Sequence, residues 1–305
     1  MARKPPAKNP VVSMLPHQEE LFWRDDLRRC AAIWRRQGRK STTLANIALR
    51  RMMEKRGHTC IFGSAAVLIG GEFLRKEVGT WQQFIKTMQR VAIENKMLAE
   101  SNAENLDIEA VCDLFEHSKL EVKIWHDNTT FSRSIVVACN PDTAVGWTGD
   151  IFLDEVGRIA DYKDVLEAVL PFMDNNPEYI LRMATTPPPD DSHYSWEYLV
   201  PPSEDFPVNA RGNWYRAQSG IWVHRADIFD TGAGGLPLFD PDSGERITPE
   251  EHRKKAFDKT AWDRNYGCRF VRGGVAAVSL AALATAMERG KGQCLAANIT
   301  EEIVA

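Results

Sequence analysis

Nine residues, WRRQGRKST at 34–42, bring together the groups needed to handle a polyphosphate. Binding a triphosphate takes backbone N–H groups aimed at the anion, a lysine that reaches the β/γ oxygens, and a hydroxyl for Mg2+ at a helix start. Lys40 and Ser41 stand at the last two of those places, followed by Thr42, and Arg35, Arg36, Gln37 and Arg39 add donors around the turn. The run departs from G-x-x-x-x-G-K-[ST]: Trp34 stands at the first glycine, Arg39 at the last, and Gly38 falls one place early. A second constellation is IFLDE at 151–155, an apolar run delivering Asp154 and Glu155 side by side. At a strand end, the first carboxylate can hold Mg2+ through water and the second can polarise an attacking water. A third, MATTPP at 183–188, ends an apolar run in Thr185 and Thr186, hydroxyls able to sense a γ-phosphate and pass its loss to a moving part. Singly, each has a plainer reading: a basic helix start on a solvated face, an acid-capped strand end, a threonine before a proline turn. Their order along one chain favours a nucleoside triphosphatase.

Those groups need elements to hold them. Cys30–Trp34 reads as a short strand, and Ser41 opens an amphipathic helix to about Met53, with Gly57 as the C′ glycine that stops it. His58–Phe62 reads as a second strand, 66–118 as a long helical region, and Leu120–Trp125 and Ser134–Ala138 as β-rich runs. Asp150–Asp154 and Tyr179–Ala184 read as buried strands flanking a helical Asp161–Met173. Short apolar strands separated by helical patterns predict an α/β fold with a central, mainly parallel sheet flanked by helices. Lys40 and Asp154 are then expected from neighbouring parallel strands, whose C-terminal edges form the ligand crevice. The Pro-, Gly- and Asp-rich stretch 187–260 reads as irregular structure and a small lid or linker subdomain. Trp196, Trp214, Trp222 and Trp262 read as packing groups in preference to base-stacking ones.

Composition sets the limits. With 305 residues, 44% of them hydrophobic, the chain can build a real core, which excludes disorder for most of its length. A net charge of -4 excludes a globally basic nucleic-acid coat. Residues 24–56 nevertheless hold eleven Lys/Arg against three acids, and Arg35, Arg36, Arg39 and Lys40 lie at the centre of that block. Triphosphate charge explains those four, whereas the flanking cations read as solvated helix faces. The six cysteines show no C-x-x-C spacing, which predicts reduced thiols in an intracellular protein. The basic, proline-rich start lacks the apolar core of a signal peptide, and the longest apolar run, 275–287, is too short to span a bilayer.

Together the motifs resemble the large terminase subunit of tailed double-stranded-DNA bacteriophages, over about 15–275. LPHQEELFWRD (15–25) resembles the segment carrying that family's adenine-contacting glutamine, here Gln18. WRRQGRKST resembles its deviant phosphate loop. VVACNPDTAVGWTGDIFLDEVGRI (136–159) is the most specific stretch, MATTPPP (183–189) is similar to the coupling motif, and WDRNYGCRFV (262–271) to the segment that closes the ATPase half. The resemblance implies an ASCE-type P-loop NTPase using ATP and Mg2+, with Arg35, Arg36, Gln37, Gly38, Arg39, Lys40, Ser41 and Thr42 around the nucleotide. Lys40 would lie on the β/γ-phosphates, Ser41 and Asp154 on Mg2+, and Glu155 on the attacking water. Arg35 or Arg36 would act on the γ-phosphate, adjacency to Gln37 favouring Arg36, while Thr185 and Thr186 would couple hydrolysis to movement.

The implied activity is ATP hydrolysis driving double-stranded DNA into a procapsid. The implied partners are DNA, a viral portal ring and a small terminase subunit, in the host cytoplasm and away from membrane. A homo-oligomeric ring is expected on the portal and a monomer in isolation. The expected division is a flexible arm (1–14), a P-loop ATPase core (15–205), a small lid or linker subdomain (206–275) and a connecting helix or tail (276–305). No nuclease half or nuclease activity is expected, because after Asp263 the only acids are Glu288, Glu301 and Glu302. Two other readings stay open. One is a helicase-type DNA-dependent ATPase; the other is a non-hydrolysing DNA or portal docking module, should Arg39 disable the phosphate loop.

Overall fold

The structure, a computed structural model, describes residues 12–64, 73–83, 115–117, 120–139, 148–174 and 176–272. Most of the expected arm, most of the expected helical region 66–118, residues 140–147, the run 275–287 and the expected connecting helix or tail at 276–305 lie outside the described residues. Helix α1 (Pro16–Phe22) leads into strand β1 (Arg29–Trp34), then α2 (Lys40–Glu54) and β2 (Thr59–Ser64). A helical segment at 73–83 follows. Next come β3 (Phe115–His117), β4 (Glu121–Trp125), β5 (Phe131–Ala138), β6 (Asp150–Asp154), α3 (Tyr162–Val169) and β7 (Leu181–Thr185). The order closes with α4 (Tyr194–Leu199), β8 (Asn213–Arg216), β9 (Trp222–Ala226), α5 (Ile228–Ala233), α6 (Pro249–Lys255) and α7 (Lys259–Asn265).

The nine described strands make one sheet in the order β3-β4-β5-β2-β6-β7-β1-β9-β8. Every pairing from β5 across to β9 is parallel, and only the β3-β4, β4-β5 and β8-β9 pairs are antiparallel. The central strands are buried on both faces, as a parallel sheet requires. In β1, Cys30, Ala32 and Trp34 point into the core beneath α1 and α2, while Ala31 and Ile33 point to the opposite face. Phe152 of β6 joins the first core, where Phe73 stacks on Phe62. Ile151 and Leu153 join the second with Tyr162, Val165 and Leu166 of α3. This alternation is the period of two that a strand imposes.

Three sequence expectations change. First, β1 and β6 are not neighbours, because β7, the strand that ends in Thr185, lies between them. Second, the stretch read as irregular contains the β8-β9 hairpin, and β9 pairs in parallel with β1. The sheet therefore runs past the boundary expected near 205. Third, Gly57 is not the C′ residue of α2, which ends at Glu54 with Lys55 in extended conformation; Gly57, at φ 67°, instead turns the chain toward β2. Of the four tryptophans, Trp262 is buried and Trp196 and Trp214 half-buried, as packing groups should be, whereas Trp222 is exposed.

The edge of the sheet opposite the C-terminal strand ends is held by a buried ionic cluster. Asp150, fully buried at the start of β6, accepts at Oδ1 from Arg51 Nη2 (3.0 Å) and the Ile180 N–H (3.0 Å), and at Oδ2 from His58 Nε2 (2.6 Å) and Arg51 Nε. Burial pushes the Asp150 carboxyl up, but the bonds from His58 and Arg51 outweigh it and hold the group below the usual range. Cys60 lies within ligand distance of His58 and Asp150. Arg51 already occupies that carboxylate and Cys60 Sγ bonds the Ala48 carbonyl, so the trio is a polar cluster packed around the Arg51–Asp150 ion pair.

Candidate nucleotide site

Parallel strands present their C-terminal ends at one edge, and that edge collects the motifs. Register sets Ile33 of β1 beside Thr185 of β7, and Ala184 of β7 beside Asp154 of β6. With strands about 4.8 Å apart, β1 and β6 are separated by about 10 Å. The first turn of α2 spans this gap: Ser41 Oγ donates to Asp154 Oδ2, and Lys40 Nζ lies 3.7 Å from Glu155 Oε1. The sheet thus brings together Lys40, Ser41, Asp154 and Glu155, as the motif order implied.

The loop itself is shaped by backbone needs. Gly38 N–H closes a turn onto the Arg35 carbonyl at 3.0 Å, and a Cβ on Gly38 would lie 2.9 Å from that oxygen. That close approach explains why the glycine stands at 38. Gln37 (φ 57°) and Arg39 (φ 63°) are left-handed, and Gly38 between them is not. Alternating hand along successive residues turns backbone N–H groups toward one point, the arrangement of an anion nest. Arg39 is the N-cap of α2, and its side chain caps none of the first-turn N–H groups, which leaves those amides and the positive helix end to an anion. Glu155 is also left-handed, at φ 51°. Three of the four left-handed non-glycine residues among those described thus sit in this site, a concentration of strain typical of functional sites.

Arg39 therefore adopts a glycine's conformation with its side chain exposed to solvent instead of filling the loop. A left-handed residue with a Cβ costs about 1–2 kcal/mol, and glycine returns about 0.4–1 kcal/mol through the greater freedom of the unfolded chain. Arg39→Gly should therefore stabilise the fold by roughly 0–1.6 kcal/mol, read by urea unfolding; a clear loss of stability would contradict the strain. Arg36 and Arg39 are exposed, with no ion pair among the described residues. Arg35 is buried, its N–H bonded to the Ala226 carbonyl at 3.0 Å, and burial lowers its guanidinium below the usual range. Of the two arginines left open by the sequence, only Arg36 faces solvent beside the site.

Electrostatically the site is closed on itself. Lys40, almost fully buried, donates to the Trp34 and Arg35 carbonyls at 3.4 and 3.3 Å besides facing Glu155. Burial pushes the Asp154 carboxyl up, opposed by the Ser41 bond and the Lys40 charge and reinforced by Glu155. Asp154 Oδ1 accepts the Glu155 N–H at 3.0 Å, and Glu155 Oε2 is buried without a hydrogen-bond partner. A hydroxyl and a carboxylate in contact, beside an unsatisfied carboxylate oxygen, form a hard oxygen donor set that suits Mg2+.

Thr185 and Thr186 are buried at the end of β7. Thr185 Oγ1 accepts the Gly157 N–H at 3.0 Å and donates to the Thr186 carbonyl at 2.7 Å. Gly157 lies in the 3-10 turn directly after Glu155. The hydroxyl thus links the acidic strand's exit to the turn at Pro187. Gln18 is buried under α2, its amide N–H donating to Thr43 Oγ1 at 2.9 Å and its oxygen accepting the Leu15 N–H at 3.1 Å. Thr42 is half-buried in the first turn.

Two histidines also support this loop. His17 Nε2 bonds the Gly38 carbonyl at 3.1 Å and its ring meets Trp34 edge-on. Trp34 Nε1 donates to His224 Nδ1 at 3.1 Å, and His224 Nε2 bonds the Arg211 carbonyl at 2.7 Å. Burial lowers His17 to about 4 and His224 to about 3. NMR of the imidazole nitrogens at pH 6 should find both rings neutral with the proton on Nε2; a protonated ring at that pH would contradict the burial argument. Only the adjacency of His17 to Gln18 hinted at this role. The segment 265–268 closes the loop's other side: Arg36 N–H donates to the Asn265 carbonyl at 2.7 Å and Arg225 Nη2 to the Gly267 carbonyl at 2.7 Å.

No protein-family model matches the chain, and no curated protein does. Among solved structures, the ATPase domain of the large terminase of Thermus phage P74-26 is similar, with a TM-score of 0.55 at 15% identity over 84% of this chain and 93% of that one. An arginine-to-alanine mutant of the same domain gives 0.56 with the same identity and coverage. The large terminase of another thermophilic bacteriophage gives 0.50 at 10% identity, over 84% of this chain and 52% of that one. The chain thus spans about half of that longer protein. At these identities the likeness is one of fold: a mainly parallel sheet flanked by helices, as in terminase ATPase domains. Among the described residues, no helix is long and apolar enough to cross a membrane.

Proposed function

We propose that the chain is the ATPase motor of a phage DNA-packaging machine, a terminase large subunit that hydrolyses ATP to drive double-stranded DNA through a portal. The single observation that carries this reading is the convergence of Lys40, Ser41, Asp154 and Glu155 at one sheet edge. The terminase-like motifs and the terminase-like fold supply the DNA and the portal. A small terminase subunit is a further partner on the same grounds.

In this reading the α2 amides and the loop nest take the phosphates, and the Lys40 ammonium leaves Glu155 for the β/γ oxygens. Ser41 and Asp154 would hold Mg2+, which when bound supplies charge neutralisation on the phosphates. Released from Lys40, Glu155 orients water for in-line attack on the γ-phosphorus and accepts its proton. Arg36, exposed at the rim, stabilises charge developing on the γ-phosphoryl oxygens. Loss of the γ-phosphate changes what Glu155 contacts. Because Gly157 N–H is tied to Thr185, that change passes along the turn to Thr185, Thr186 and the segment after Pro187. Gln18 positions the first turn of α2 through Thr43 and borders the base.

The test is steady-state phosphate release from MgATP with and without double-stranded DNA. Turnover that rises with DNA is expected. Absence of turnover under both conditions would favour the docking module, and strand displacement would favour a helicase.

A further inference from the structure

We propose that His17 is a positioning residue of the phosphate loop: its Nε2–H holds the Gly38 carbonyl toward the protein interior and thereby aims the Arg39 N–H at the ligand. The proposal rests on the nucleotide reading above and names a residue that the loop motif does not contain.

The argument starts from the peptide plane. In a trans peptide the C=O of one residue and the N–H of the next point in opposite directions. The Gly38 carbonyl bonds a histidine that is 0% exposed and packed on Trp34, which is also 0% exposed, so this carbonyl faces the core. The Arg39 N–H must then face outward, beside the first turn of α2. With that plane reversed, a carbonyl oxygen would face the phosphates and repel them. Gln37 before Gly38 and Arg39 after it are left-handed and strained, so this orientation needs an external tether. His17 provides it from α1, 21 positions away in sequence.

The ring suits this task. A carbonyl can only accept, so the imidazole proton is on Nε2, and Nδ1 has no partner. Burial keeps the ring neutral, which spares the loop another cation beside Arg35 and Arg39. Trp34, standing where the motif has its first glycine, fixes the ring at 4.7 Å between centroids and is itself tied to His224. The tryptophan that looked like a defect in the motif is the wall against which the tether is braced.

Two variants separate tethering from packing. His17→Phe keeps an aromatic ring against Trp34 but has no donor; His17→Gln offers an amide N–H. With folding confirmed by circular dichroism, calorimetry with ADP and Mg2+ should show about 10-fold weaker binding for His17→Phe, the loss of about one hydrogen bond. Binding within about 3-fold of the unmodified chain is expected for His17→Gln. Equal binding by His17→Phe and the unmodified chain would overturn the proposal, as would a glutamine variant no better than phenylalanine. Amide hydrogen exchange of the nucleotide-free protein tests the tether separately: residues 37–41 should exchange faster in His17→Phe only. If the unmodified chain binds no nucleotide, the nucleotide reading fails, and unchanged exchange at 37–41 would overturn the tether as well.

Discussion

Glu155→Gln should lower ATP turnover by about 10²–10⁴-fold, the usual contribution of a positioned general base, while leaving nucleotide affinity intact or raised. The two halves of that expectation come from one geometry. Glu155 lies at the end of β6 with one oxygen 3.7 Å from Lys40 and the other unpartnered. Glutamine keeps the shape but cannot accept the water proton. It also removes a carboxylate that otherwise competes with phosphate for Lys40 and repels the incoming anion. Phosphate release under saturating MgATP, read beside calorimetric affinity, separates the two effects. Turnover near that of the unmodified chain would remove Glu155 from the chemistry. A parallel collapse of affinity would point to a structural role for the side chain.

Asp150→Ala should destabilise the fold by about 3–5 kcal/mol, because it strands buried charge. Asp150 satisfies Arg51, His58 and the Ile180 N–H at once, all inside the core. Removing it leaves the buried Arg51 guanidinium with the Glu178 carbonyl at 2.6 Å and the distant Asp25. In a cycle with Arg51→Met, the double variant should lose less than the sum of the single losses, since the stranded charge is gone. The pH dependence has a definite sign. The Asp150 carboxyl is held below its ordinary value in the folded state, so its contribution is present above about pH 4 and is lost as pH falls below that. Urea unfolding at pH 7 checks the magnitude; a change under 1 kcal/mol would contradict the cluster's assigned role. Because the cluster lies at the far end of β6 from Asp154, nucleotide affinity of the folded fraction should not follow the loss.

The two predictions divide along what the sequence made legible. The strands β1, β6 and β7 are short, largely apolar and buried except at Arg29, so their presence could be read from the local run of residue types. Their order could not. That β7 separates β1 from β6 follows from its pairing with β1, between residues as far apart as Arg29 and Leu181, which local patterning does not encode. The β8-β9 hairpin was hidden for another reason: Asn213–Arg216 and Trp222–Ala226 mix charged and aromatic residues, with Gly212 and Gly220 close by, so neither reads as an apolar run. The grouping of Lys40, Ser41, Asp154 and Glu155 at one edge was legible because their residue types stand out at the ends of apolar runs. Arg39 was legible only as an anomaly, and its left-handed backbone shows that the position kept the glycine's shape while losing the glycine. His17 and Gly157 were not legible: the His17 ring holds a single backbone carbonyl and Gly157 offers its own N–H, contacts that leave no residue pattern in the sequence.

Calorimetric titration of the chain with ADP and Mg2+, run beside Lys40→Ala, tests the central claim most directly. The account predicts saturable one-to-one binding by the unmodified chain and binding weaker by about 10- to 100-fold in the variant, the loss of a charge-assisted bond to phosphate. No binding by the unmodified chain, or equal binding by the two, would contradict it.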